Sequence, residues 1–451
     1  MSLSERKSFS FSRFEGFMLG ATLLVALFGA GYTVGWNDAS ELAAVESLVD
    51  YHTWQIDQSV FTPHTGDKMF IDGHYYSDKP PVPQLAMAIV YQAFQWTTGL
   101  KAIQIPGLLV FLLAFCFSGL AYVIAVFCLC RLAERVGLPE EIQWPLVASF
   151  AFGTIAMTYS RVCNIHILML AVVAGLFLLL ARSTDPGWKF FSMGQLCAIG
   201  SILGAGYGID LGVGPVLVIC TVIFLACRTR SLVSLFIVLA TAFPWFVLQH
   251  ALNYRIGGTF FPATRVPQYF LFPGSTFTAQ NITGTGWAHD SFADFLNYFT
   301  GMLFGQHGFI MHNLVLFLAI PAAVVGWWET KEKRGLVFLS TGLIAGVVLL
   351  YATTSNNYAG QCCSIRWFVP LLVPFYYVLM LALKRFPAAL GDLWIFAAWS
   401  IVLGLMLWRH LPLSMPLVPD LWYVNAAVLI SWVVYRGVRF LTKPNSLPGP
   451  S

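Results

Sequence analysis

VPQLAMAIVYQAFQWTT, residues 82–98, decides how this chain crosses a membrane. The run is apolar enough for a helix, yet Gln84, Gln92 and Gln95 interrupt it, and with Ala88 and Tyr91 they trace a stripe at helical spacing. We read it as an amphipathic helix lying in the interface, not as a span. Twelve apolar runs remain, near 17–36, 106–130, 144–161, 164–181, 191–208, 211–227, 232–252, 309–328, 335–352, 366–383, 392–408 and 421–438. With 82–98 kept out of the count, Arg131/Arg135, Arg182/Lys189, Arg228/Arg230, Lys331/Lys333/Arg334, Lys384/Arg385 and Arg436/Arg439/Lys443 share a side with Arg6, Lys7 and Arg13. That is the excess of Lys and Arg expected of cytoplasmic loops. Counting it as a span would move the second and later basic clusters to the other side. Both termini are therefore expected in the cytoplasm.

Composition agrees. With 58% hydrophobic and only 10% charged residues among 451, the chain is far from the roughly 25% charge of a soluble domain. The expected fold is an all-α, polytopic integral membrane protein of about twelve spans forming one domain over 1–451, with a short flexible tail at 444–451. No basic block points to nucleic acid. Nine cysteines lie mostly inside apolar runs, where they pack as small apolar groups, and only Cys362 and Cys363 fall in a loop. No disulfide framework is expected.

This topology leaves two long outer segments, 37–104 and 253–308, and all nine histidines fall on or near the outer face. Directly after the first span, Asp38 and Glu41 are three residues apart, so one helix would present both carboxylates on one face. The same residues suit the first turn of a helix, where Asn37 or Asp38 would cap it and Glu41 would meet the dipole. Capping and catalysis are compatible, since a capped helix holds its carboxylate in place.

Further on, GHYYSDKPPVP (73–83) follows the Asp72-Gly73 turn signal. Pro80 steers Lys79 away from the helical region and Pro81 suits a first helical turn, so the ammonium stands ahead of a helix N-terminus, a natural anion site. Anchoring to lipid headgroups is the plainer reading of the same lysine. In the second segment, Arg255, Arg265, His289, Asp290 and His307 are the polar candidates, and Asn281-Ile282-Thr283 fits the N-glycosylation pattern. Arg366 stands at the mouth of a late span, where it either holds phosphate or snorkels. Asp210, between two spans, is expected in a tight turn.

An acidic motif after the first span, an outer loop ending in Tyr76-x-Asp78-Lys79-Pro80-Pro81, an interfacial helix and a late outer arginine resemble the GT-C membrane glycosyltransferases. The likeness is to the bacterial branch related to protein O-mannosyltransferases and the lipid A aminoarabinose transferase. The match is specific over 37–85; Asp78 stands where relatives more often have Glu, and the acidic pair is spaced rather than adjacent. The resemblance implies transfer of a sugar from a polyprenyl-phosphate donor to an acceptor glycan, lipid or protein, on the outer face of the cytoplasmic membrane. Asp38 would then be the base with Glu41 orienting it, and Tyr76, Lys79, Arg366 and Arg265 would bind substrate. Asp78 with His289 and His307 is the candidate set for a divalent metal. A transporter or flippase for a lipid-linked solute is the rival class. It calls for ionisable residues at span midpoints, which 106–130, 232–252 and 392–408 lack.

Overall fold

The computed structural model describes residues 12–185, 187–278, 286–328, 331–360, 362, 364–410 and 418–442; the tail, Asn281 to Thr283 and Cys363 lie outside them. Each expected span contains a helix. In chain order they are α1 (Arg13–Ala26), α2 (Trp36–Asp50), α3 (Pro81–Thr98), α4 (Pro106–Leu113), α5 (Leu120–Val136), α6 (Glu140–Phe152), α7 (Ile155–Tyr159), α8 (Ile165–Leu180) and α9 (Met193–Ile209). There follow α10 (Val213–Thr229), α11 (Leu232–Gly257), α12 (Phe292–Phe304), α13 (Leu316–Gly326), α14 (Lys331–Thr354), α15 (Leu372–Arg385), α16 (Leu390–His410) and α17 (Val418–Thr442). Six helical stretches among the described residues are long and apolar enough to cross a membrane unaided, including Pro106–Val136, which a π turn makes continuous, and Leu232–Gly257. Large apolar side chains such as Phe236, Phe243 and Ile219 are exposed, as a lipid solvent requires.

Two expected spans are shorter in the structure. The run 17–36 is helical only to Ala26, and the chain then runs irregularly to α2. Its backbone groups are claimed from outside: Arg161 Nε donates to Phe28 O at 2.7 Å, and Ala30 N–H donates to Arg161 O at 2.7 Å. Gly107 permits a backbone contact here, since a Cβ on it would sit 2.7 Å from the Gly31 carbonyl oxygen. The run 309–328 starts as turns after Gly305 and Gly308 and becomes helical at Leu316.

Helix ends sort by chemistry. Arg135 pairs with Asp185, Arg228 donates to Ser183 O and Lys384 donates to Val136 O. The basic ends of α5, α8, α10 and α15 therefore gather at one pole. The opposite ends of α8, α9, α10 and α15 meet the first loop. That loop folds as α2, then a hairpin of β1 (Lys68–Ile71) and β2 (His74–Ser77), then α3. Asp72 (φ 51°) and Gly73 (φ 87°) form the two-residue turn, pairing Ile71 with His74 and Lys68 with Ser77. On α3 the polar stripe faces the protein: Gln84 Nε2 donates to Ser77 Oγ at 2.8 Å, Tyr91 OH to Asp50 Oδ2 at 2.9 Å and Gln95 Nε2 to Asp50 Oδ1 at 2.6 Å. Ile89 and Trp96 point outward.

Backbone contact also joins α6 to α16, where a Cβ on Gly404 would lie 2.0 Å from Phe152 O. Gly404→Val should force the helices apart and cost more than about 2 kcal/mol; a thermal-unfolding midpoint in detergent equal to that of the parent protein would refute this contact.

Candidate active site

Asp38 occupies the first turn of α2. Its Oδ2 accepts from Val34 N–H at 2.7 Å and its Oδ1 from Gly35 N–H at 2.8 Å; the cap position is taken by Gly35, not by Asn37 or Asp38, and the carboxylate reaches back from the third helical position to hold it. It is 4% exposed. Burial pushes its pKa up to about 6, against the pull of those two backbone donors. Glu41, one turn on, is fully buried and accepts from Asn37 Nδ2 at 3.2 Å. Burial drives it up to about 8 against the Lys79 ammonium. Burial thus raises Glu41 further than Asp38, so Asp38 is the first of the two to ionise as pH rises.

Lys79 sits between two carboxylates, 2.7 Å from Asp67 Oδ2 and 3.0 Å from Asp78 Oδ1. The hairpin register brings them there, because Lys68 opposite Ser77 sets Asp67 across from Asp78. Ser40 Oγ joins α2 to this cluster, donating to Asp67 O at 2.5 Å and lying 2.7 Å from Ser77 Oγ. For Asp67 burial works upward, but Lys79 and then Arg366 outweigh it and its pKa is lowered. For Asp78 burial prevails over Lys79 and the pKa is raised. The two carboxylates in turn hold Lys79 above its ordinary value despite burial. Arg366, in the turn leading into α15, has a buried Nε with no hydrogen-bond partner among the described residues.

These groups line two adjoining cavities of about 530 and 610 Å³. Trp36, Asn37, Asp67, Ala359, Gly360 and Arg366 line both and form the boundary. Asp38 faces the first cavity; Asp78, Lys79 and Arg265 face the second. Asp210 makes the tight turn expected, with Oδ1 accepting from Gly212 N–H at 2.8 Å and Val213 N–H at 3.1 Å. Its Oδ2 also meets His166 Nδ1 at 3.0 Å, and the pair lines the second cavity.

Other candidates lie elsewhere. Glu41 lines neither cavity; its carboxyl is bound by Asn37, which lines both. Tyr76 also lines neither; its OH meets Gln55 Nε2 at 3.4 Å, and its ring packs on the Met69, Ile71 and Phe270 cluster. The expected metal set does not assemble. His289 Nε2 bonds to Ala352 O at 2.6 Å, His307 Nδ1 bonds to Cys362 O at 3.0 Å, and Asp78 faces Lys79. Among the described residues no three His, Cys, Asp or Glu side chains converge as a metal cradle, and the oxygens of Asp38, Asp67 and Asp78 already meet amide or ammonium donors. Asp67 and His166 escaped the sequence reading. The Asp72-Gly73 turn held the signal for Asp67, since counting back from a two-residue turn places it opposite Asp78.

No protein-family model matches the sequence, and no curated protein matches it. Solved structures do. ArnT from Cupriavidus metallidurans bound to undecaprenyl phosphate superposes with a TM-score of 0.53 at 12% identity, over 93% of this chain and 75% of that one. Its apo state gives the same TM-score at 13% identity and the same coverage. The Archaeoglobus fulgidus oligosaccharyltransferase in complex with zinc and sulfate aligns at a TM-score of 0.44 and 13% identity, over 91% of this chain and 52% of that one. The chain has the fold of ArnT, the GT-C fold that the sequence led us to expect.

The raised pKa of Glu41 has a consequence for stability. Its folded value lies above its unfolded one, so the folded form holds a proton that the unfolded form loses. The stabilisation is complete below about 4.5 and is lost as pH rises through about 8, at a rate of up to about 1.4 kcal/mol per pH unit. Thermal midpoints across that range should fall with pH, and Glu41→Gln should flatten the slope; an unchanged slope in that variant would assign the effect elsewhere.

Proposed function

We propose that this protein is an inverting glycosyltransferase that moves a sugar from a polyprenyl-phosphate donor to an acceptor on the outer face of the cytoplasmic membrane. The observation behind this reading is a pair of cavities meeting at Arg366, with the Asp38 carboxyl on one and, on the other, Lys79 and Arg265 among the carboxylates of Asp67, Asp78 and Asp210. The ArnT fold supports it, since that neighbour holds undecaprenyl phosphate. The gathering of basic loops at the far pole supports the outward orientation of the site.

In this mechanism the acceptor enters the first cavity and its hydroxyl meets Asp38. The carboxylate takes the proton as the acceptor oxygen bonds to the anomeric carbon, and the bond from that carbon to the carrier phosphate breaks with its electron pair left on phosphate. Arg366 and Arg265 meet the developing charge, Arg366 with an Nε that has no hydrogen-bond partner among the described residues. Lys79 adds positive field beside them, although its ammonium is already shared by Asp67 and Asp78. Asp38 is better placed than Glu41 to be the base, because it faces a cavity and ionises at lower pH. The Val34 and Gly35 N–H groups hold one oxygen each and so fix the direction in which the carboxylate meets the acceptor. No step is routed through a metal, for which the residues present form no cradle.

Asp38→Asn keeps the shape of the cap and should lower transfer of labelled sugar from polyprenyl-phosphate donors by about a hundredfold or more without loss of fold. Activity preserved in that variant would remove the base. For the parent protein, transfer should rise with pH through about 6 as Asp38 ionises. Arg366→Lys and Arg265→Ala should each weaken undecaprenyl phosphate binding about tenfold or more, as expected for lost bonds to a charged oxygen. Unaltered affinity in both would place the phosphate elsewhere.

A further inference from the structure

One wall of the second cavity is unused by this mechanism. It belongs to α11, a helix whose Phe236, Phe243 and Val247 are exposed. Its buried residues are Val238, Ala242, Gln249, Asn253 and Gly257, so a single stripe turns inward and ends in two amides one helical turn apart. Gln249 and Asn253 are 0% and 5% exposed and both line the second cavity. Polar side chains on a membrane helix are costly unless something partners them.

The hydrogen bonds fix which way these amides point. Asn253 Nδ2 donates to Phe260 O at 3.4 Å, which turns its Oδ1 toward Gln249. Gln249 Nε2 donates to that Oδ1 at 3.1 Å. Reversing the Gln249 amide would set two carbonyl oxygens against each other. Its Oε1 is therefore the end left over, buried and without a partner among the described residues.

A lone acceptor selects its ligand's chemistry. An ionised phosphate offers only acceptors, so Gln249 does not suit the carrier's head; a hydroxyl does. The neighbours fit a ring that bears hydroxyls. His166 commits Nδ1 to Asp210, which leaves Nε2 as its other polar atom on the same cavity. Trp367 also lines it, stacked on Tyr351 with centroids 4.3 Å apart, an aromatic surface for the apolar face of a sugar. We infer that the second cavity is the glycosyl subsite and that Gln249, oriented by Asn253, accepts a hydrogen bond from a ring hydroxyl of the donor sugar. This rests on the transferase reading above and adds what the site takes: a neutral, hydroxyl-bearing ring beside the phosphate.

The test is binding by the purified full chain of undecaprenyl phosphate and of undecaprenyl phosphates carrying a hexose or a pentose. The parent protein should bind at least one glycosylated lipid about tenfold tighter than the bare phosphate. Gln249→Met should erase that preference and leave the affinity for bare undecaprenyl phosphate unchanged. A preference that survives in Gln249→Met, or a parent protein that binds the bare lipid as tightly as every glycosylated one, overturns the subsite and leaves the transferase reading in place. If the parent protein binds none of the lipids, the transferase reading fails and this inference with it. Should Gln249→Met not fold, deoxy analogues of the preferred sugar test the same bond from the ligand side: loss of one hydroxyl must cost the parent protein that tenfold, and an equal affinity for every analogue overturns the assignment.

Discussion

The ammonium of Lys79, held between Asp67 and Asp78, is the contact on which the rest of the site depends. All three side chains are largely withdrawn from water. Removing one partner of such a pair leaves a buried charge unmatched, at a cost of about 3–5 kcal/mol. The pair closes the open end of the hairpin and, through Ser40 and Ser77, ties it to α2 and α3. Lys79 is therefore the keystone of the loop, its ammonium already matched by two carboxylates. Among the described residues the Arg366 Nε has no hydrogen-bond partner, and Arg366 and Arg265 both line the second cavity.

The same loop separates the roles of two carboxyls on one helix. Asp38 and Glu41 share a face of α2, yet Asp38 has two backbone donors and a cavity in front of it, while Glu41 has one amide and a packed interior. Burial raises both, and the backbone donors hold Asp38 lower. Local capping geometry thus becomes a difference in the pH at which each group ionises, and ionisation decides which of them can take a proton.

Polar groups of the membrane helices are handled in two ways at the places that matter for the site: Phe28 O accepts from the Arg161 side chain and Ala30 N–H donates to the Arg161 carbonyl, while Gln249 and Asn253 turn toward the second cavity. Shortening of the first span and the inward stripe of α11 are two outcomes of the same cost of unpaired polar atoms in lipid.

Hydropathy and the side on which lysine and arginine fall were enough to place a helix in each expected span and to set 82–98 apart, because burial in lipid acts on composition directly. The Asp72-Gly73 turn and the helix start at Pro81 were legible for an equally local reason: φ preferences belong to the residue. Tyr76 shows where local reading stops, since its place in a motif says nothing of which face of the hairpin it takes. His289 and His307 have the chemistry of metal ligands, but only the packed chain shows them bound to separate backbone carbonyls. Gln249 was hidden inside an apolar run that reads as a plain span. What the sequence by itself determined is therefore the set of helices and the residues able to do chemistry. Only the tertiary structure decided that Asp38, Asp67, Lys79 and Arg366 meet around two joined cavities, because that convergence depends on contacts between segments some 300 residues apart, whose geometry no local propensity encodes.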